Sequence, residues 1–247
     1  MVRYGLIGYP LTHSFSQRYF TEKFARECIT DCRYDLFELP DLEALPNLLQ
    51  TPGLRGLNVT IPHKQAVLPY LDRLDASAQN VGAVNVIRLE ADGSRTGFNS
   101  DYYGFQQSLT DWLNGLGRST DGLRALVLGT GGASKAVVAA LTDLGVLYRY
   151  VSRTPDERAV SYGEVAPLLA THQLVVNCSP VGTYPHTDEA PALPYDQLTD
   201  QHLLYDLVYN PAETRFMQLG RQRGAAVMNG YPMLVLQAEK AWAIWQA

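Results

Sequence analysis

Two kinds of polar pattern stand out in this chain of 247 residues, one able to hold an anion and one able to move a proton. The first is Leu126-Val127-Leu128-Gly129-Thr130-Gly131-Gly132-Ala133-Ser134-Lys135-Ala136, an apolar run, then a glycine-rich turn, then a helical pattern. Gly129 and Gly131 occupy the first two glycine positions of a dinucleotide fingerprint, and Ser134 stands at the third. Such a turn lets bare backbone approach a pyrophosphate, and the helix start behind it supplies N–H groups and a positive dipole end. Thr130, Gly132 and Ala133 would share that contact. A ligand-free connection can be glycine-rich too, but here strand, glycines and helix follow in the order that binding needs. The next strand ends in Ser152-Arg153-Thr154, with no acid at its tip to accept from a ribose 2′-hydroxyl. A guanidinium flanked by small donors suits a 2′-phosphate, because arginine–phosphate pairing is strong and geometrically selective. NADP therefore fits better than NAD, with a solvated surface charge as the plain alternative for Arg153.

The second pattern is a set of four polar clusters where strands of the first hundred residues end. Ser14 and Ser16 flank Phe15 in a turn that also holds Thr12 and His13, and Ser16 reads as a helix N-cap. Asn58-Val59-Thr60-Ile61-Pro62-His63-Lys64 ends a strand at Pro62 and holds Lys64 just past it. Asn85 lies inside an apolar run, where an amide is costly to bury without partners. Asp101 follows Phe98-Asn99-Ser100, where a carboxylate could cap a helix or serve a ligand.

The elements that must position these groups alternate. Apolar, β-branched runs predict strands over 3–8, 33–39, 55–61, 83–89, 125–129, 148–152, 174–178, 203–208 and 225–228. Helices are expected over 15–28, where Phe20, Phe24 and Cys28 fall one turn apart, and over 101–113, 133–144, 214–223 and 231–245. That rhythm implies an α/β fold with mostly parallel sheets. An Asp92-Gly93 turn between 84–90 and 94–99 reads as a hairpin. The expected division is a substrate-binding α/β domain of 1–101 plus 230–247, and a Rossmann-like domain of 102–229.

These clusters, in their order, resemble the shikimate dehydrogenase family. The family's G-x-P-x-x-H-S-x-S, G-x-N-V-T-x-P-x-K, G-A-x-N and G-x-N-[ST]-D-x-x-G patterns all occur between Gly8 and Gly104. Downstream, Tyr205-Asp206-Leu207-Val208-Tyr209-Asn210-Pro211 and Asn229-Gly230-Tyr231-Pro232-Met233-Leu234-Val235-Leu236-Gln237-Ala238 are similar to two more. Gln17, Ser152 and Asn229 depart from the usual Pro, Asn and Asp. The resemblance implies reversible NADPH-dependent reduction of 3-dehydroshikimate to shikimate. By motif, Ser14 and Ser16 would hold the substrate carboxylate with Tyr209 nearby. Thr60, Asn85, Asp101 and Gln237 would take ring hydroxyls, Lys64 with Asp101 would serve the reacting oxygen, and Leu207 and Gly230 would line the nicotinamide side. As the proton donor for reduction, Lys64 is needed charged, and as the base for alcohol oxidation neutral, so oxidation is expected to prefer alkaline pH. Alternatives are a quinate/shikimate dehydrogenase with relaxed substrate or cofactor choice, and a non-catalytic ligand sensor on the same fold.

Composition narrows the partners. Twenty Lys and Arg against 25 Asp and Glu give a net charge of −5, with no basic cluster for nucleic acid. No apolar run is long enough to span a membrane, and the N-terminus reads as a strand and not as a signal peptide. The three cysteines, Cys28, Cys32 and Cys178, cannot build a disulfide framework. They are expected as buried or half-buried thiols, with Cys28 and Cys32 able to share a helix face. The five scattered histidines add no zinc spacing, so no metal is expected. A cytoplasmic monomer or homodimer is the resulting expectation.

Overall fold

Why each element starts and stops is visible in a computed structural model of the chain, which describes residues 1–11 and 14–247. Thr12 and His13 of the serine-bearing turn lie outside the described residues. The chain divides into two units, Met1–Tyr103 with Gln237–Ala247, and Gly104–Leu236.

The first unit contains β1 (Val2–Gly8), α1 (Phe15–Arg26), β2 (Cys32–Glu38), α2 (Leu45–Leu48), β3 (Leu54–Val59), β4 (Arg73–Leu74), α3 (Ala76–Val81), β5 (Val86–Leu89) and β6 (Arg95–Phe98). Its sheet runs β2-β1-β3-β5-β6-β4. The β1–β2, β1–β3 and β4–β6 ladders are parallel, while β3–β5 and the β5–β6 hairpin are antiparallel. The hairpin forms at Asp92-Gly93: Gly93 takes φ +84°, and Asp92 Oδ1 accepts from Ser94 N at 2.9 Å.

Helix α1 stops two residues before the expected end. Cys28 has φ 55°, Ile29 N donates to Phe24 O at 2.9 Å, and Cys28 N donates to Ala25 O at 3.4 Å. That is a Schellman ending, closed here by a cysteine instead of the usual glycine. Cys28 is consequently exposed and off the Phe20–Phe24 face, and Cys32 opens β2, so the two thiols share no helix. Phe20 and Phe24 pack with Tyr4, Tyr34, Ala241 and Trp245 into one core. Phe20 stacks on Tyr34 at 4.6 Å and Tyr4 on Trp245 at 4.8 Å, while Trp245 Nε1 donates to Ile87 O at 3.0 Å. Ile7, Leu45, Leu57 and Val67 belong to a second core.

Strand β3 ends at Val59, short of the expected residue 61, because the chain turns at Ile61-Pro62 and leaves Ile61 73% exposed. Strand β5 begins at Val86, three residues later than expected. Val84 N is spent on Lys64 O at 2.8 Å, which ties this segment to the loop beyond β3.

The chain passes out of the first unit along α4 (Ser100–Gly115) and returns to it along α8 (Tyr231–Gln246). The second unit contains β7 (Arg124–Leu128), α5 (Gly132–Asp143), β8 (Leu147–Ser152), β9 (Ala159–Ser161), α6 (Ala166–Leu169), β10 (Leu174–Asn177), β11 (Leu203–Asp206), α7 (Arg215–Arg221) and β12 (Ala226–Met228). All its ladders are parallel, in the order β12-β11-β10-β7-β8-β9. This is the doubly wound Rossmann order, and the winding reverses between β7 and β10, where such sheets bind ligands beyond their carboxyl ends. Ala125, Leu126, Val127 and Leu128 are completely buried, as a strand covered on both faces requires. The short strands β4 and β9 were not expected, since two or three residues cannot set a period. Among the described residues no helix is long and apolar enough to cross a membrane.

Candidate functional site

In the first unit the clearest chemistry is an ion pair. Lys64 Nζ lies 2.5 Å from Asp101 Oδ2, with the side chains 26% and 11% exposed. The backbone around Lys64 is pinned on several sides. Thr60 N donates to Ile7 O at 2.9 Å, His63 N to Thr60 O at 2.9 Å, and buried His63 donates Nε2–H to Leu39 O at 2.6 Å. Lys64 O accepts from Val84 N. Asp101 lies in the first turn of α4 but does not cap it. Asn99 Oδ1 takes Tyr102 N at 3.1 Å and Asn99 Nδ2 donates to Ala83 O at 2.9 Å, so capping falls to Asn99 and the Asp101 carboxylate is left for Lys64. The helix start also favours negative charge there.

Asn85 is 3% exposed and fully partnered: Ser100 N donates to its Oδ1 at 2.6 Å, and its Nδ2 reaches Gln237 Oε1 at 3.3 Å. Two residues far apart in sequence thus meet. The serine pair is arranged differently from the expectation. Ser14, not Ser16, is the N-cap of α1, accepting from Gln17 N at 3.4 Å, while Ser16 is the helix's second residue. An accepting cap keeps its hydroxyl proton, so Ser14 can still donate to an anion. Burial pushes up the pKa of the Tyr34 phenol, and Ser16 nearby opposes that rise. Tyr34 in turn donates to Asn58 Oδ1 at 2.7 Å, and Asn58 Nδ2 donates to Asn85 O at 3.3 Å. Tyr34 and Asn58 received no role from sequence. The available signal was an amide on β3 between Leu57 and Val59, which are 0% and 2% exposed.

In the second unit the carboxyl ends of β7, β8 and β10 open on a cleft of about 1110 Å³. Gly129 holds φ +102°, and a Cβ there would sit 3.5 Å from the Cys178–Ser179 backbone. Gly131 caps α5 with no side chain bonding the helix start, and a Cβ on Gly131 or Gly132 would meet nothing within 4 Å. The turn therefore presents bare backbone and a helix N-terminus to open space, as a pyrophosphate needs. Ser134, at the third fingerprint position, is buried and donates to Gly131 O at 2.7 Å, tightening its own turn. Ser152 Oγ accepts from Thr154 N at 3.2 Å and so shapes the tip. Arg153 lines the cleft and makes no ion pair among the described residues. Asp156, three positions further along the chain, is engaged by Arg158 N at 2.9 Å and held below its usual pKa. Arginine and bare turn together fit a dinucleotide with a 2′-phosphate.

Beyond β11 the chain brings Leu207 and Gly230 together: a Cβ on Gly230 would lie 2.1 Å from Leu207 O, so only glycine allows that approach. Tyr209 follows, 39% exposed. Strand β11 itself ends at Asp206, two residues early, because this fully buried carboxylate takes Val208 N at 3.0 Å. Burial pushes the Asp206 carboxyl up to about 6, against the Thr214, Val208 and Asn177 hydrogen bonds that lower it.

A family model described as the shikimate dehydrogenase substrate binding domain matches residues 6–87. The chain is 39% identical, over 98% of its own length and 91% of the relative's, to the shikimate dehydrogenase (NADP(+)) of Clostridium beijerinckii. The chain belongs to the shikimate dehydrogenase family. It is also similar to the crystal structure of shikimate 5-dehydrogenase from Thermus thermophilus in complex with NADP(H) and shikimate, with a TM-score of 0.83 and 34% identity over 99% of this chain and 93% of that one. A second structural relative is quinate dehydrogenase from Corynebacterium glutamicum in complex with NAD, with a TM-score of 0.87 and 28% identity over 99% and 93% of the two chains. Against the family pattern, the departure at Asn229 keeps its local work: Asn229 Oδ1 accepts from Tyr231 N at 3.1 Å at the start of α8, as an aspartate would. At Gln17 the departure adds something, since the usual proline has no N–H to offer Ser14.

Proposed function

We propose that this chain catalyses the reversible NADPH-dependent reduction of 3-dehydroshikimate to shikimate. The observation that carries the proposal is the 2.5 Å pair of Lys64 and Asp101, partly buried and held by pinned backbone. When bound, the nicotinamide supplies hydride to the carbonyl carbon, and negative charge then builds on the carbonyl oxygen. The Lys64 ammonium neutralises that charge by giving a proton, and Asp101 holds the ammonium in place for the transfer. In the reverse direction Lys64 receives the alcohol proton. Ser14 and Ser16, with Tyr209, are proposed for the substrate carboxylate; Thr60, Asn85, Asp101 and Gln237 for the ring hydroxyls. The dinucleotide is assigned to 129–133 and 152–154, with Leu207 and Gly230 on the nicotinamide side. Residues 1–101 with 230–247 would form the substrate domain and 102–229 the cofactor domain.

A second reading, quinate dehydrogenase with relaxed substrate or cofactor choice, is favoured by the likeness to the Corynebacterium glutamicum structure. Arg153 and the missing acid at its strand tip weigh against NAD. Three free thiols, Cys28, Cys32 and Cys178, favour a reducing compartment, so the cytoplasm is part of the proposal, as is a monomer or homodimer. Nicotinamide absorbance with shikimate and quinate, each with NADP and NAD, tests it. Turnover fastest with shikimate and NADP is expected; turnover with quinate and NAD alone would overturn it.

A further inference from the structure

A buried charge is costly, and the second unit carries one that the proposed chemistry does not use. Asp206 is 0% exposed at the tip of β11 and paired in register with Asn177 at the tip of β10. Its oxygens accept from Asn177 Nδ2 at 2.9 Å, Val208 N at 3.0 Å and Thr214 Oγ1 at 2.6 Å. A carboxylate can only accept, so every neighbour must turn a donor toward it. Asn177 thus points its NH₂ at Asp206, where it also meets Val181 O at 3.4 Å, and its Oδ1 faces the other way. That oxygen takes both the N–H of Ser179, at 3.1 Å, and its hydroxyl proton, at 2.6 Å. Ser179 lines the same cleft as Gly131 and Arg153, and its neighbouring backbone abuts Gly129. With its one proton turned inward and one lone pair taking Val181 N at 3.4 Å, Ser179 Oγ has a single lone pair left to offer.

We propose that Asp206 is a positioning residue for the dinucleotide, acting through Asn177 to make the Ser179 oxygen a fixed hydrogen-bond acceptor on the cleft wall. The chemistry divides the cleft. Arg153 and the start of α5 offer positive charge and N–H groups, which suit phosphate, whereas an acceptor at Ser179 suits a ribose hydroxyl or an amide N–H and opposes phosphate. A neutral residue would satisfy the fold at less cost, because desolvating a charge opposes folding. The raised carboxyl pKa reports that cost. What the charge adds is two accepting oxygens at once, and hence a single orientation for Asn177.

The inference rests on the reading that this cleft takes NADP(H). Its test is NADP binding by titration calorimetry, with thermal unfolding in parallel, on the full chain, Asp206→Asn, Ser179→Ala and the double variant. Each single change is expected to weaken NADP about fivefold, the worth of roughly one hydrogen bond. The double variant is expected to bind no worse than the weaker single, because both act on one contact. The Asp206→Asn melting temperature should hold or rise, which a purely structural role would not allow. Asp206→Asn binding within twofold of wild type, or losses that multiply in the double variant, would overturn the proposal. An Asp206→Asn chain that does not fold would mark a purely structural role and overturn the proposal as well. Asn177→Ala paired with Ser179→Ala, whose losses should not multiply, checks the same contact independently, multiplied losses again overturning it. Wild-type protein that binds no NADP overturns the reading of the cleft as well; wild-type binding with indifferent variants overturns this inference alone.

Discussion

Replacing Asp206 with asparagine should flatten one part of the protein's pH–stability profile, and the structure sets the size of the change. An unfolded aspartate releases its proton near 3.8, whereas burial holds the folded Asp206 carboxyl up at about 6. Between those values the folded state binds more protons than the unfolded one, so stability falls as pH rises. The contribution is fully favourable below about pH 4 and fully lost above about pH 6. Roughly two pKa units at 1.36 kcal/mol each give about 3 kcal/mol across that window. Asparagine does not titrate. The difference in unfolding free energy, wild type minus Asp206→Asn, should therefore drop by about 3 kcal/mol between pH 4 and pH 6.5, while other titrations cancel. Urea unfolding at several pH values measures it. The relevant transition is the one that added NADP shifts, since a ligand stabilises the unit that binds it. Parallel profiles for the two proteins, or a difference that grows with pH, would refute the reasoning.

Arg153→Ala should raise KM for NADP roughly 10- to 100-fold and leave KM for NAD nearly unchanged, as the loss of a charge-assisted phosphate contact requires; steady-state kinetics with both cofactors checks it. Tyr34→Phe removes the 2.7 Å bond to Asn58 and the hydroxyl beside Ser16, and should raise KM for shikimate about fivefold with little change in KM for NADP. Equal effects on both constants would point to general loosening instead.

Much of the fold was legible because it follows from local pattern. The continuous apolar run of β7 entering a glycine turn and a helix could be read directly, and so could the Asp92-Gly93 hairpin. The element ends were harder. Nothing in the composition of 26–29 marks a Schellman ending, because Cys28 takes a conformation that glycine usually supplies. Ser14 and Ser16 are equally good caps by type, and only the path of the turn decides between them. Likewise Asn99 and Asp101 compete for one helix start, and the winner depends on Asn99 also reaching Ala83 O. Lys64 and Asp101 were paired only through the family resemblance; the residues by themselves did not link them, because their meeting across 37 positions is a product of the fold. Asp206 was missed because a charged residue at a strand tip normally faces water. Its burial depends on Asn177 and Thr214 arriving from other elements.

The most direct measurement is single-site: kcat for 3-dehydroshikimate reduction by Lys64→Ala, alongside NADP affinity and melting temperature. Loss of the proton donor predicts a fall in kcat on the order of 100-fold or more, with NADP affinity and folding retained. An unchanged kcat with only KM for the ketone raised would make Lys64 a binding group and contradict the account.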